Sequence, residues 1–219
     1  MLIKELKALL AKEVKLEFRN KYAFNGILLY VASTVFVSYL SFQKIVDPPT
    51  WNALFWIILL FAAINTVSKS FIQESKGLLL YYYTLAGPQA IILSKIIYNA
   101  LLLVFISFVC YACYSLFIGN IVQNQVLFMA SLALGSIGIS SVLTLVSAIA
   151  AKTNNNLSLM AVLSFPIMMP LLITLIKVSK YAVDGVSLSV TYKYLLVLSL
   201  LDLIVLTLSY LLFPYLWRD

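Results

Sequence analysis

The sequence contains no histidine, which removes His-based general bases, His-ligated metal centres and His-ligated haem at the outset. Charge is scarce too. Only 11% of the 219 residues are Asp, Glu, Lys or Arg, against roughly 25% in an average soluble chain. A soluble domain of this length needs far more polar surface, so soluble-enzyme folds, disordered chains and nucleic-acid binders are excluded. No Walker A loop, H-E-x-x-H or G-x-S-x-G occurs, and no acid/base pair stands out in the apolar stretches. Catalysis by this chain alone is not expected, and no metal site is. Cysteine is limited to Cys110 and Cys113. Covalent haem attachment at a C-x-x-C needs a following His, position 114 is Tyr, and a redox thiolate is costly in lipid. The pair reads as two small residues on one helix face. No cleavable signal peptide is expected either, because the first 21 residues are charged throughout.

What the sequence has instead is apolar length: 63% of its residues are hydrophobic. A helix crossing the hydrocarbon needs about 20 predominantly apolar residues, and charges punctuate this chain well enough to count them. Tyr22 to Gln43 is uncharged and forms span one; Pro48-Pro49 closes a short loop, and Trp51 to Ser68 forms span two. Residues 96 to 151 are 56 uncharged positions, enough for two spans, with Gly119 to Gln125 as the polar turn between them. Span three is then about 90–118 and span four about 126–151. Span five follows at Leu157 to Ile176, a loop from Lys177 to Lys193 comes next, and span six runs from Tyr194 to Leu216. The fold class is all-α, a polytopic membrane protein with six transmembrane helices. Membrane barrels show ~10-residue segments of alternating polarity. These runs are continuous, and helices satisfy their own backbone amides in lipid.

Sidedness follows from the cations. With the N-terminus inside, eleven of the 15 Lys and Arg lie on the cytoplasmic side, leaving Lys44, Lys177, Lys180 and Lys193 outside. Both termini are expected to be cytoplasmic. Residues 1–21 form an amphipathic interfacial helix: Leu2, Ile3, Leu6, Leu9, Leu10 and Val14 share one arc, and Lys4, Lys12, Lys15 and Arg19 the opposite one. Such a helix is expected to lie along the inner membrane surface, as a topology anchor or as an elbow that also touches a cytoplasmic partner.

The segment from Lys69 to Pro88 carries the most information. A charged helix over Lys69, Phe71, Ile72, Glu74 and Lys76 is broken by Gly77, and an apolar-aromatic stretch then leads to Ala86-Gly87-Pro88. A tight connection between helices needs only about 2–8 residues, and this one uses about 20. The surplus points to docking of a partner on the cytoplasmic face. Within the spans, Asp202 is about eight residues into span six with leucine on both sides. A carboxylate at that depth faces a cavity or a partner, lining a path, pairing with Lys177, Lys180 or Lys193, or carrying a proton. Pro166 and Pro170 each remove a backbone donor from span five and are expected to kink or locally unwind it. Gly135, Ser136, Gly138, Ser140 and Ser141 give span four a small-residue face for close helix approach, within the protomer or across a dimer.

Order and spacing along the chain resemble those of the CcmB family, the permease subunit of the haem-exporter-type ABC complex in cytochrome c maturation. The likeness lies in the charged Lys/Glu/Leu-rich N-terminal helix, six spans, and Phe71, Glu74, Gly77 and Leu79, with Pro88 and Lys95 following. Pro166-x-x-x-Pro170 and the closing Pro214 with Arg218 extend it across nearly the whole chain. Lys76 before the glycine and Leu80-Tyr81 after it depart from the family's acidic residue and Glu-Gln pair, as in a divergent branch. The resemblance implies a partner ATPase (CcmA-like), CcmC-like and CcmD-like membrane subunits, two copies in the complex, and an inner-membrane location. It also implies ATP bound by the ATPase, haem handled by the complex, and no cofactor held by this chain. ATPase coupling is then expected at Phe71, Ile72, Glu74, Lys76 and Gly77: Glu74 and Lys76 as polar contacts, Phe71 and Ile72 filling a groove on the motor. An ABC-2-type export permease for a lipid, polysaccharide or drug shares the elbow helix and six spans, and a membrane-embedded enzyme or passive scaffold is the third reading.

Overall fold

The computed structural model describes residues 2–19, 21–42, 46–67, 71, 86–152 and 157–218. Among them are seven helices and no strand. In chain order these are α1 (Leu2–Arg19), α2 (Lys21–Phe42), α3 (Pro48–Val67), α4 (Pro88–Phe117), α5 (Gln125–Lys152), α6 (Leu157–Val183) and α7 (Leu188–Arg218). Long runs of Leu, Ile, Val, Ala and Phe propagate helix, and prolines mark where it begins. Pro48 and Pro88 each occupy a first turn, where the missing N–H has no helical partner to lose. Asp47 caps α3: its carboxylate accepts the Thr50 N–H at 3.3 Å. The Thr50 hydroxyl and N–H together hold this exposed carboxyl below the usual range. Six of the helices, α2 to α7, are long and apolar enough to cross a membrane.

One boundary differs from the sequence expectation. Lys177 and Lys180 lie within α6, which continues to Val183, and only residues 184–187 separate it from α7. Both lysines are exposed, and a lysine on a helix flank snorkels without ending the helix. What ends α6 is Gly185 at φ 70, a left-handed residue, with the Val186 N–H reaching back to the Tyr181 carbonyl at 3.0 Å. Asp202 consequently sits deeper than the sequence placed it, near the middle of α7.

α5 is the central helix. It packs against α4, α6 and α7, and 67% of its apolar span is buried, against 17% for the peripheral α2. Its small residues make this possible. Ser136, Ser140 and Ser141 are buried, and a Cβ on Gly135 would meet Leu175 and Trp56. The small face is therefore used inside the protomer. α6 stays helical through both prolines, so of the expected kink or local unwinding the unwinding is absent. Pro166 and Pro170 are four residues apart and both exposed, which puts the two lost hydrogen bonds on one outward side.

The end of the bundle holding the α4–α5 and α6–α7 turns is stitched tightly. Trp51 donates to the Gly119 carbonyl at 3.0 Å, and Tyr114 to the Trp51 carbonyl at 2.9 Å. Trp51 and Tyr114 also meet edge to face at 4.9 Å, around a core that includes Phe55 and Phe128. Asn52 and Trp56 donate to the Ile176 carbonyl and the Ser179 hydroxyl of α6 at 3.1 and 2.8 Å. The opposite end, where α1 lies, is held differently.

Candidate functional site

At the α1 end a second apolar cluster stands apart from the main core: Phe71, Ile91, Ile92, Ile96, Ala148 and Phe213, with Leu9 of α1 packed against it. Phe71 is buried and its ring meets Phe213 of α7 at 5.6 Å. Lys95 Nζ lies 4.7 Å from the centre of the same ring. Lys95 is itself buried, at 2% side-chain exposure, and pairs with Glu13 Oε1 of α1 at 3.4 Å. That oxygen also takes Lys12 Nζ, at 3.1 Å. A buried ammonium is tolerated only with compensation of this kind, because desolvation costs several kcal/mol per ion. Here a carboxylate and an aromatic face supply it.

A second tie fixes the direction of α1. The Gly87 N–H, just before α4, donates to Glu5 Oε2 at 3.2 Å across 82 residues of sequence. Glu13 and Lys95 are the same distance apart in sequence, so both ties share one register. The two tie points are separated by eight residues on each helix, about 12 Å along each axis. α1 thus follows the first turns of α4 in the same direction. The ring pair Phe36–Phe117, at 6.2 Å, continues that parallel course in α2. Of the apolar arc on α1, Leu6, Leu9 and Leu10 are half-buried, and Ile3 and Val14 remain exposed.

The expected coupling residues separate accordingly. Phe71, expected to fill a groove on a partner, is turned into this chain's own cluster and marks where the segment after α3 is anchored. Ile72, Glu74, Lys76 and Gly77 lie outside the described residues. On α1, Lys4 and Lys15 are exposed, Lys12 is half-buried against Glu13, and the Arg19 side chain lies outside the described ones. The acids, Glu5 and Glu13, are what sequence reasoning missed. Their signal was available: Glu5 and Glu13 eight residues apart, with Glu17, among cations, and Lys95 as the sole charge from Pro88 to Ala151.

Asp202 lies elsewhere. It is buried at 4% exposure, and neither carboxylate oxygen has a hydrogen-bond partner among the described residues. It therefore does not pair with Lys177, Lys180 or Lys193, all of which are exposed. Its neighbours are Gly138 of α5 and Leu171 of α6: a Cβ on Gly138 would strike Asp202 Oδ1 and come within 3.2 Å of its Cγ. Cys110 and Cys113 are both free thiols. No group of metal-ligating side chains is found among the described residues.

Six long apolar helices, five of them around the central small-residue α5, with a charged clamp at one end, define a multi-pass helical membrane protein. The particular family follows from comparison. The model of the CcmB protein family matches residues 4–214, and the chain belongs to that family. CcmB proteins are transmembrane permease subunits of the haem exporter in cytochrome c maturation. A comparison with curated proteins returns no match.

Proposed function

We propose that this chain is the membrane subunit through which a separate ATPase drives haem delivery, or release of the haem chaperone, in cytochrome c maturation. The observation that carries the reading is the family match across residues 4–214. The α1 end supports it: Lys4, Lys7, Lys12, Lys15 and Lys95 gather here, and Phe71, the next described residue after α3, is buried here. In this reading both termini are cytoplasmic, the membrane is the bacterial inner membrane, and the complex holds two copies of the subunit. A CcmA-like ATPase binds ATP, and CcmC-like and CcmD-like subunits complete the assembly. Haem is handled by the complex without a histidine from this chain.

The mechanism is mechanical. The ATPase closes on ATP and pushes the segment 69–88, where Glu74 and Lys76 make polar contacts and Ile72 docks. Phe71 roots that segment between Phe213 and Lys95, so the push reaches α7 and α4 together. At the far end the Trp51, Tyr114 and Asn52 bonds hold the helices as a fixed base. Co-purification of a soluble ATPase with the tagged chain tests the partnership. Simultaneous reversal of Glu74 and Lys76 (E74K with K76E) is expected to leave membrane insertion intact and lower cytochrome c yield on the order of tenfold, within the usual range of coupling energies. Unchanged yield counts against the coupling role of these residues.

A further inference from the structure

We infer that Glu13 and Lys95 are positioning residues, a buried latch that makes α1 move as one body with α4. The inference rests on the coupling reading above. A helix that only anchors topology needs an apolar face toward lipid and cations toward headgroups. α1 instead runs along the start of α4 with Leu9 packed on the Phe71 cluster, not flat on the membrane surface as expected from the sequence, and it directs Glu13 to a buried lysine. Lysine's long stem ordinarily snorkels its ammonium to solvent. Lys95 does not: it stays 2% exposed beneath Glu13 and over the Phe71 ring.

The consequence is geometric. One ammonium touches α1 through Glu13 and the root of the coupling segment through Phe71, and Phe71 in turn touches α7 through Phe213. The Glu5–Gly87 bond keeps the same register eight residues earlier, so α1 can neither slide along α4 nor swing from it without breaking both ties. Packing alone lacks this specificity, because apolar side chains tolerate a shift of register and an ion pair in a dry site does not. Displacement of the segment at Phe71 therefore pulls on Lys95, and α1 follows.

The test uses the whole complex in membranes, with spin labels at Lys7→Cys on α1 and Gln89→Cys on α4 in a background lacking Cys110 and Cys113. The parent is expected to give one narrow distribution for the distance within a copy, set apart from the distances between the two copies by singly labelled controls. Lys95→Met broadens it, Glu13→Gln does the same without touching the transmembrane helix, and the exchange Glu13→Lys with Lys95→Glu narrows it again. In parallel, Lys95→Met and Glu13→Gln keep ATP hydrolysis but lower cytochrome c yield on the order of tenfold, and the exchange restores the yield. A merely structural pair instead lowers the amount of inserted protein and leaves yield per molecule unchanged, which overturns the inference. An unchanged distance distribution in both single variants overturns the latch whatever the ATPase does. Absence of any ATPase from the purified parent is a failure of the coupling reading, and the positioning role falls with it.

Discussion

At Gly138 a single missing methyl decides how three helices meet. Its hydrogen faces Asp202 of α7 and Leu171 of α6, and any Cβ there collides with both. Gly138→Ala is expected to push α5 and α7 apart and lower stability by about 1–3 kcal/mol, the usual cost of overpacking a filled site. Gly26 in α2 is the control, since a Cβ there meets nothing within 4 Å. Gly26→Ala is expected to be neutral or to stabilise by up to ~1 kcal/mol through reduced backbone entropy. Thermal midpoints of the two purified variants in one detergent check the contrast, and equal midpoints sink it. Asp202 belongs to the same scale. Sequence position flagged it as a carboxylate deep in lipid, but not that a glycine on another helix makes its room.

Helix by helix, the spans were legible because a span is a local property: twenty apolar residues are apolar wherever the rest of the chain goes. Boundaries set by local chemistry were legible too, as at Pro48 and Pro88. The loop expected at 177–193 is different, because lysines on a flank do not stop a helix; the stop is the left-handed Gly185 with its back-bonded Val186. In span five, where the prolines are expected to kink or locally unwind the helix, the helix is continuous: four-residue spacing puts both lost bonds on one exposed side and the remaining ladder holds. The double variant Pro166→Ala, Pro170→Ala is accordingly expected to insert normally, with a thermal midpoint at or above the parent's, since proline inside a helix costs about 3 kcal/mol relative to alanine. A lower midpoint, or loss of cytochrome c yield, gives the prolines a role this packing does not.

For the molecule as a whole, the two ends of the bundle differ in kind. One is closed by tryptophan, tyrosine and asparagine bonds among α3, α4 and α6. The other is closed by a small cluster, a buried lysine and a helix tied on by two acids. A lever suits that asymmetry, with a fixed base and a movable handle. Sidedness is open to direct measurement. A cysteine at Ser75, in a background lacking Cys110 and Cys113, is expected to react with a membrane-impermeant thiol reagent only after the cytoplasmic face is opened. Labelling from outside intact cells reverses the assigned orientation and removes the handle from the motor's side.

Lipid is an apolar solvent, and that alone let composition and charge spacing determine the helical class and the six crossings. Those properties depend on what each segment is made of. Which residues would meet was decided only in three dimensions. Glu13 found Lys95, Phe71 turned inward to Phe213, and Gly138 opened beside Asp202. Contacts across tens of residues depend on register and helix order, and a buried charge goes where its partner is.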